Sequence, residues 1–336
     1  MDDVEAAEPP AAQAPPPAPD VTLNDAARTT YRYLRVSVVA LALLLAVSLG
    51  LEIARGGERF GSISGYYYSP VRSVLVGTLM ALGPALIAIK GRPGWEDTLL
   101  DLAGMAVPVV ALVPTPRHLG SAVCGPGVAS CVPPQFVPAV RNNVTAILVV
   151  GAVVLAFTWR GARRRRGRPS FVGLCAATLA WSVVAAWFTV APGLFLRAGH
   201  YAAALVFFLL TAAVAWLAGR HAEQRADLRV MSPDRYGTAY RTVSALIVAT
   251  IAMAVLVLGG GALLGFRPWF ATVFVVESVL LVLFVVFWVL QTAENWDEEA
   301  IEHCGPGPVL SEPQLSAGDE PAATPDAAAG SADGPL

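Results

Sequence analysis

The chain has 336 residues and a net charge of −2; 55% of its residues are hydrophobic and 14% are charged, against about 25% charged in an average soluble domain. Mean hydropathy is +0.58. These values exclude an ordinary soluble enzyme and a disordered chain, and the near-neutral balance leaves no global basic field to hold nucleic acid.

Residues 1–30 are acidic and rich in Pro and Ala (PPAAQAPPPAP). Such a segment cannot bury enough apolar surface to offset its chain entropy, so it is expected to be a disordered tail. It is not read as a signal peptide, because the first apolar run starts only after Arg35.

Residues 31–292 hold eight apolar segments: 34–54, 70–90, 98–114, 139–159, 170–191, 198–219, 243–265 and 269–291. Most approach the roughly 20 residues needed to cross about 30 Å of hydrocarbon. A helix pairs its own backbone groups, so the expected fold is an all-α bundle of eight transmembrane helices. The third segment is short and carries Gly104 and Pro108; Pro84 and Pro192 are further expected kink points. Gly261 and Gly265 form a G-x-x-x-G, a weak packing signal. The last two segments are expected to form a tight hairpin through 266–268. From residue 293 onward there are ten acidic residues and no Lys or Arg; this segment is read as a second, mostly disordered tail.

Eight spans divide the basic residues unevenly. Sixteen of 23, including Lys90, Arg92 and the run from Arg160 to Arg168, fall on the side of both termini; seven fall on the other. The positive-inside rule then places both termini in the cytoplasm and the protein in the plasma membrane. The Arg run is read as a topology signal that touches anionic lipid, not as a nucleic-acid site. Cys124 and Cys131 (CGPGVASC) fall in an outside loop, where an oxidising compartment favours a disulfide. No metal centre and no cofactor is expected. The four His divide two and two between the sides, and no phosphate-binding Gly loop, zinc helix motif or nucleophile elbow is present.

An ionisable group at mid-span costs roughly 2.5–3.5 kcal/mol. Glu277 is the sharpest case, about 12 Å along the last span from Trp269 at the helical rise. Three readings stand: a pair with an Arg that locks two helices, a polar cavity open to the outside, or a protonated Glu facing lipid or a neighbouring subunit. Candidate partners are Arg72, Arg141, Arg197 and His200, with Glu52 near the outer end of the first span. His200 and Tyr201 are expected at the interface as anchors, and Tyr66, Tyr67 and Tyr68 (SISGYYYS) as an aromatic belt or as a lip over a cavity. The flanking serines are expected to cap the next helix, with Pro70 in its first turn. Asp101 is expected to reach water at the inner end of the third span.

The strings ISGYYYSPVRSVLVG, DLAGMAVPVVALVPT and GHYAAALVFF resemble a group of uncharacterised bacterial multi-pass proteins and, more faintly, DRAM-like membrane proteins. The resemblance covers about half the spans. It implies an integral membrane protein and supplies no substrate. It also implies Asp where this chain has Ser73.

Three functions are left open. The leading one is a non-enzymatic membrane protein binding a lipid headgroup or small polar ligand in an outer-leaflet-facing cavity, through Glu277, Arg72, His200, Glu52 and the three tyrosines. The others are a secondary transporter with Glu277 as coupling carboxylate, and a membrane-embedded enzyme using His200 and Glu277. Membrane lipids are the expected partners, and no nucleic acid is.

Overall fold

The computed structural model describes residues 23–91, 94–162, 168–225, 231–265 and 269–296; the side chains of 23–28, 168–170 and 262 lie outside that description. The expectations for residues 1–22, the Arg163 to Arg166 run, the 266–268 connection and the tail from 297 onward also lie outside it.

The described chain is helical: α1 (Leu23–Ala54), α2 (Arg72–Ala88), α3 (Trp95–Leu112), the short α4 (Ser121–Cys124), α5 (Val137–Ala162), α6 (Arg168–Val190), α7 (Pro192–Ala222), α8 (Pro233–Leu264) and α9 (Thr272–Glu294). Eight of these follow the eight apolar segments. Six of them, α1 and α5 to α9, are long and apolar enough to cross a membrane. α2 has 17 residues, about 26 Å at the helical rise. α3 carries Glu96, Asp97 and Asp101 in its first two turns. Helix α1 starts at Leu23, inside the stretch expected to be disordered.

Helices α1, α2, α3, α7, α8 and α9 each pack on the next, and α9 returns to α1. The α5–α6 pair attaches to this ring through α3 and α7. Helix α3 therefore packs against α2, α5, α6 and α7, which bury Glu96 and leave Asp97 and Asp101 half-buried. Val38, Leu86, Val107, Ala215, Ile247 and Phe287 lie in the ring's largest buried cluster. The outer faces stay apolar: Phe157 is 71% exposed, Leu179 67% and Leu256 69%. So broad an apolar surface is stable only against lipid.

Close packing of α2 on α3 depends on two glycines. A Cβ on Gly104 would come within 2.6 Å of the Gly83 carbonyl oxygen, and one on Gly83 within 2.9 Å of the Gly104 oxygen. Pro108 has no N–H, so the Gly104 carbonyl loses its helical donor and faces the other backbone instead. The expected G-x-x-x-G does something else: Gly265 takes a left-handed conformation (φ 76°) and ends α8.

A two-stranded antiparallel ribbon, β1 (Arg117–His118) and β2 (Ser130–Cys131), covers the end of the bundle after α3. The Cys124–Cys131 disulfide forms in this loop as expected, with Cα atoms 5.6 Å apart. Arg117 pairs with Glu58 at 2.8 Å and lies over the rings of Phe60 and Tyr68.

Candidate functional site

Between α1 and α2 the chain makes a 3-10 turn, Ser64–Tyr68. Ser62 Oγ accepts from the Gly65 N–H (2.9 Å), and Ser69 Oγ donates to the Tyr66 carbonyl (2.8 Å) while accepting from the Val71 N–H (3.2 Å). The serines thus hold the turn. Pro70 stays outside α2, whose N-cap is Val71 without a side-chain cap.

The turn is buried. Tyr66 is 1% exposed and Tyr67 2%, so neither is a belt residue. Tyr66 packs on Phe60 and Phe274. Tyr68 donates to the Thr115 carbonyl at 2.9 Å, and burial pushes its phenol well above the ordinary tyrosine range.

Arg72 does not reach Glu277. Its guanidinium donates to Tyr67 Oη at 2.9 Å and stacks on the Tyr67 and Phe136 rings at 4.4 and 5.2 Å. Arg197 donates to the Gly193 carbonyl on its own helix. Glu52 folds back against Gly57 at the end of α1. Among the described residues no Arg pairs with Glu277, so the helix-locking ion pair is replaced by another arrangement.

That arrangement is centred on Ser64. The Ser64 N–H donates to Glu277 Oε2 at 3.1 Å, and Ser64 Oγ lies 2.5 Å from Glu277 Oε1. The α9 carboxyl therefore satisfies a free N–H at the start of the turn. The same Oγ lies 2.8 Å from Nε2 of His200 on α7. His200 is 4% exposed and is not an interfacial anchor. Its Nδ1 lies 2.7 Å from the Val113 carbonyl and 3.1 Å from that of Val110. The sequence explains why these acceptors are available. Pro114 cannot supply the N–H that would close the Val110 turn, and Val113 is already past the end of α3.

The hydrogens can now be counted. Nδ1 faces only acceptors, so it carries the N–H. The Ser64 hydroxyl has one hydrogen but two partners, Nε2 and Oε1. Both contacts are hydrogen bonds only when the chain holds one more proton. That proton sits on Nε2 beside a carboxylate, or on Oε1 beside a neutral imidazole. Net charge is zero either way, and the second form requires no buried charge.

This is not the geometry of a serine hydrolase. There the acid orients the histidine through Nδ1; here the acid bonds the serine, and backbone carbonyls occupy Nδ1. The sequence identified Glu277 and His200, and the structure joins them. It adds Ser64, and also Val110 and Val113; for those two the V-P-T-P stop after α3 was the available signal.

A second polar group lies beyond α2. Lys90 Nζ is 3.3 Å from Asp97 Oδ1 and 3.6 Å from Asp101 Oδ1, so Asp101 reaches a lysine where water was expected. Asp97 and Asp101 are four apart and share a helix face. Among the described residues no group of three or more His, Cys, Asp or Glu side chains is arranged to hold a metal ion. Comparison of the chain with family models, with curated proteins and with solved structures finds no match.

Proposed function

We propose that this integral membrane protein is a proton-coupled secondary transporter of the plasma membrane, with eight spans and both termini in the cytoplasm. Helices α2 and α3 complete the eight: α3 packs against α2, α5, α6 and α7, its acids are paired with His221 and Lys90, and α2 packs directly against it. The unequal division of Arg residues supports the orientation.

The observation that carries the reading is Ser64 Oγ, within hydrogen-bond reach of both Glu277 and His200 while Nδ1 is committed elsewhere. A carboxyl, a hydroxyl and an imidazole in series accept and hold one proton as a neutral group, and passing it on leaves a single negative charge on the chain. Intramembrane ionisable groups of this kind mark ion pathways. The chain joins α7, α9 and the turn before α2, so losing its proton removes a hydrogen bond between elements that pack together.

An outer-leaflet binding cavity made by Arg72, Glu52 and the tyrosines is less well supported, because Tyr66 and Tyr67 are core residues and Arg72 is committed to Tyr67.

The test uses the full chain in liposomes on a solid-supported membrane. Cationic, anionic and zwitterionic solutes are applied with and without a pH step. At least one class is expected to give a wild-type current that Glu277→Gln lowers by at least about tenfold, the weight of one positioned proton carrier. The reading fails when no class gives a current, or when the variant carries it equally.

A further inference from the structure

The seam between the ring and the α5–α6 pair contains a cavity of about 660 Å³, within the usual size of a small-molecule site. Its walls are apolar for most of their length: Pro108, Ile147, Val154 and Leu174 contribute, with the Trp181 indole among them. Small residues make the room. A Cβ on Gly151 would run into the Trp181 ring, and one on Gly173 would come within 2.9 Å of Thr98 Oγ1. The indole is fixed, since its Nε1 donates to the Leu148 carbonyl at 3.2 Å. Among the described residues, the charged side chains on the lining are Lys90, Asp97 and Asp101. Of these, two carboxylates against one ammonium leave an excess negative charge. Lys90 reaches both acids with one nitrogen, and its side chain is 43% exposed, so it can move aside.

We infer that this cavity binds a lipophilic organic cation, with its positive centre at Asp97 and Asp101 and its apolar body along α3, α5 and α6. An apolar chamber ending in excess carboxylate suits a ligand of that construction, and an aromatic face in the wall adds attraction for a cation. A lipophilic anion of the same shape would meet the wrong charge. The cavity is separate from the Glu277 chain, and binding there does not depend on proton coupling.

The experiment is equilibrium binding to the purified full-length protein, using tetraphenylphosphonium and its near-isosteric opposite, tetraphenylborate. The wild type is expected to bind the phosphonium saturably and not to release it to the borate. Asp101→Asn should weaken binding about tenfold, as expected for removing one of two charged partners, and the double variant Asp97→Asn/Asp101→Asn should lose saturable binding. Lys90→Met removes the competing ammonium and should tighten binding several-fold. Ala177→Trp, which fills the chamber without changing charge, should abolish it. Equal binding of the two ions overturns the inference, as does wild-type affinity in the double variant. Should the Asn variants fail to fold, the lysine variant decides: unchanged or weaker binding in Lys90→Met refutes the inference.

Discussion

Two glutamates on α9, Glu294 buried and Glu277 half-buried, solve the same problem differently. Glu294 accepts from Tyr240 Oη at 2.5 Å and has the Arg225 guanidinium 3.7 Å away. Arg225 also donates to Asn295 Oδ1, and Asn295 Nδ2 donates to Gln291 Oε1. Nearby, Glu96 pairs with His221 at 3.1 Å. At this end of the bundle, carboxylates meet nitrogen donors, one of them the permanently charged Arg225. Glu277 sits nearer the other end and has no Arg beside it among the described residues; its partner is a hydroxyl shared with a neutral-capable imidazole. A carboxylate beside a guanidinium keeps its charge, because Arg does not deprotonate in proteins. A carboxyl beside Ser–His shares a proton. The first arrangement suits a structural clamp and the second suits a proton-carrying site.

The largest expected effect falls on the shared hydroxyl. Ser64→Ala takes the shared hydroxyl from both Glu277 and His200, while the backbone N–H at position 64 still serves Glu277 Oε2, and should cost about 2–6 kcal/mol in stability, one to three for each group that loses a partner. Unfolding in mixed micelles measures it, and a loss below 1 kcal/mol, the scale of a single surface contact, would mean that the hydroxyl does not link them. Next comes Glu294→Gln, which removes the acceptor charge beside Arg225 and should cost about 1–3 kcal/mol without affecting proton handling. Glu277→Gln should reverse that pattern. The amide can still bond the Ser64 hydroxyl, so stability should shift by less than about 1 kcal/mol, whereas the carboxylic-acid carbonyl band in the infrared should disappear. Equal stability losses in the two Gln variants would erase the distinction between the sites. The smallest effect concerns Tyr68. Its phenol is raised by burial, so its contribution is complete below the unfolded tyrosine value near pH 10 and falls as pH rises beyond it. Ultraviolet titration of wild type against Tyr68→Phe should show one tyrosine that resists ionisation while the fold persists.

The degree to which each site could be read from sequence follows from how local its determinants are. Apolar length located the helices because each span must satisfy its own backbone in lipid. Cys124 and Cys131 lie seven apart in one loop, so their pairing is a local matter. Glu277 stood out because a carboxyl in an apolar run has few explanations. Its partner did not, because Ser64 is 213 residues away and sits among serines that serve the turn. The expectation that the tyrosines line a membrane interface failed for a related reason. Aromatic composition cannot distinguish a belt from a core until neighbouring helices cover it, and Phe60, Phe136 and Phe274 provide that cover. Lys90 and Asp101 were visible as charges at a span boundary, but their meeting with Asp97 depends on tertiary packing, and the chamber above them exists only because α5 and α6 stand off from α3 in that seam.

By itself, the sequence determined that the chain is helical and apolar enough for lipid, where its apolar helical segments lie, and which carboxyl in the last apolar helix needs an explanation. These follow from hydropathy and from backbone donors that Pro removes, which act within one segment. Tertiary structure decided that Ser64, His200, Glu277 and two carbonyls freed at the end of α3 share one hydrogen-bonded chain, and that Arg72 has no part in it. Helix packing set those distances, and side-chain hydrogen bonding depends on position to within a few tenths of an ångström, which no periodicity in the sequence encodes.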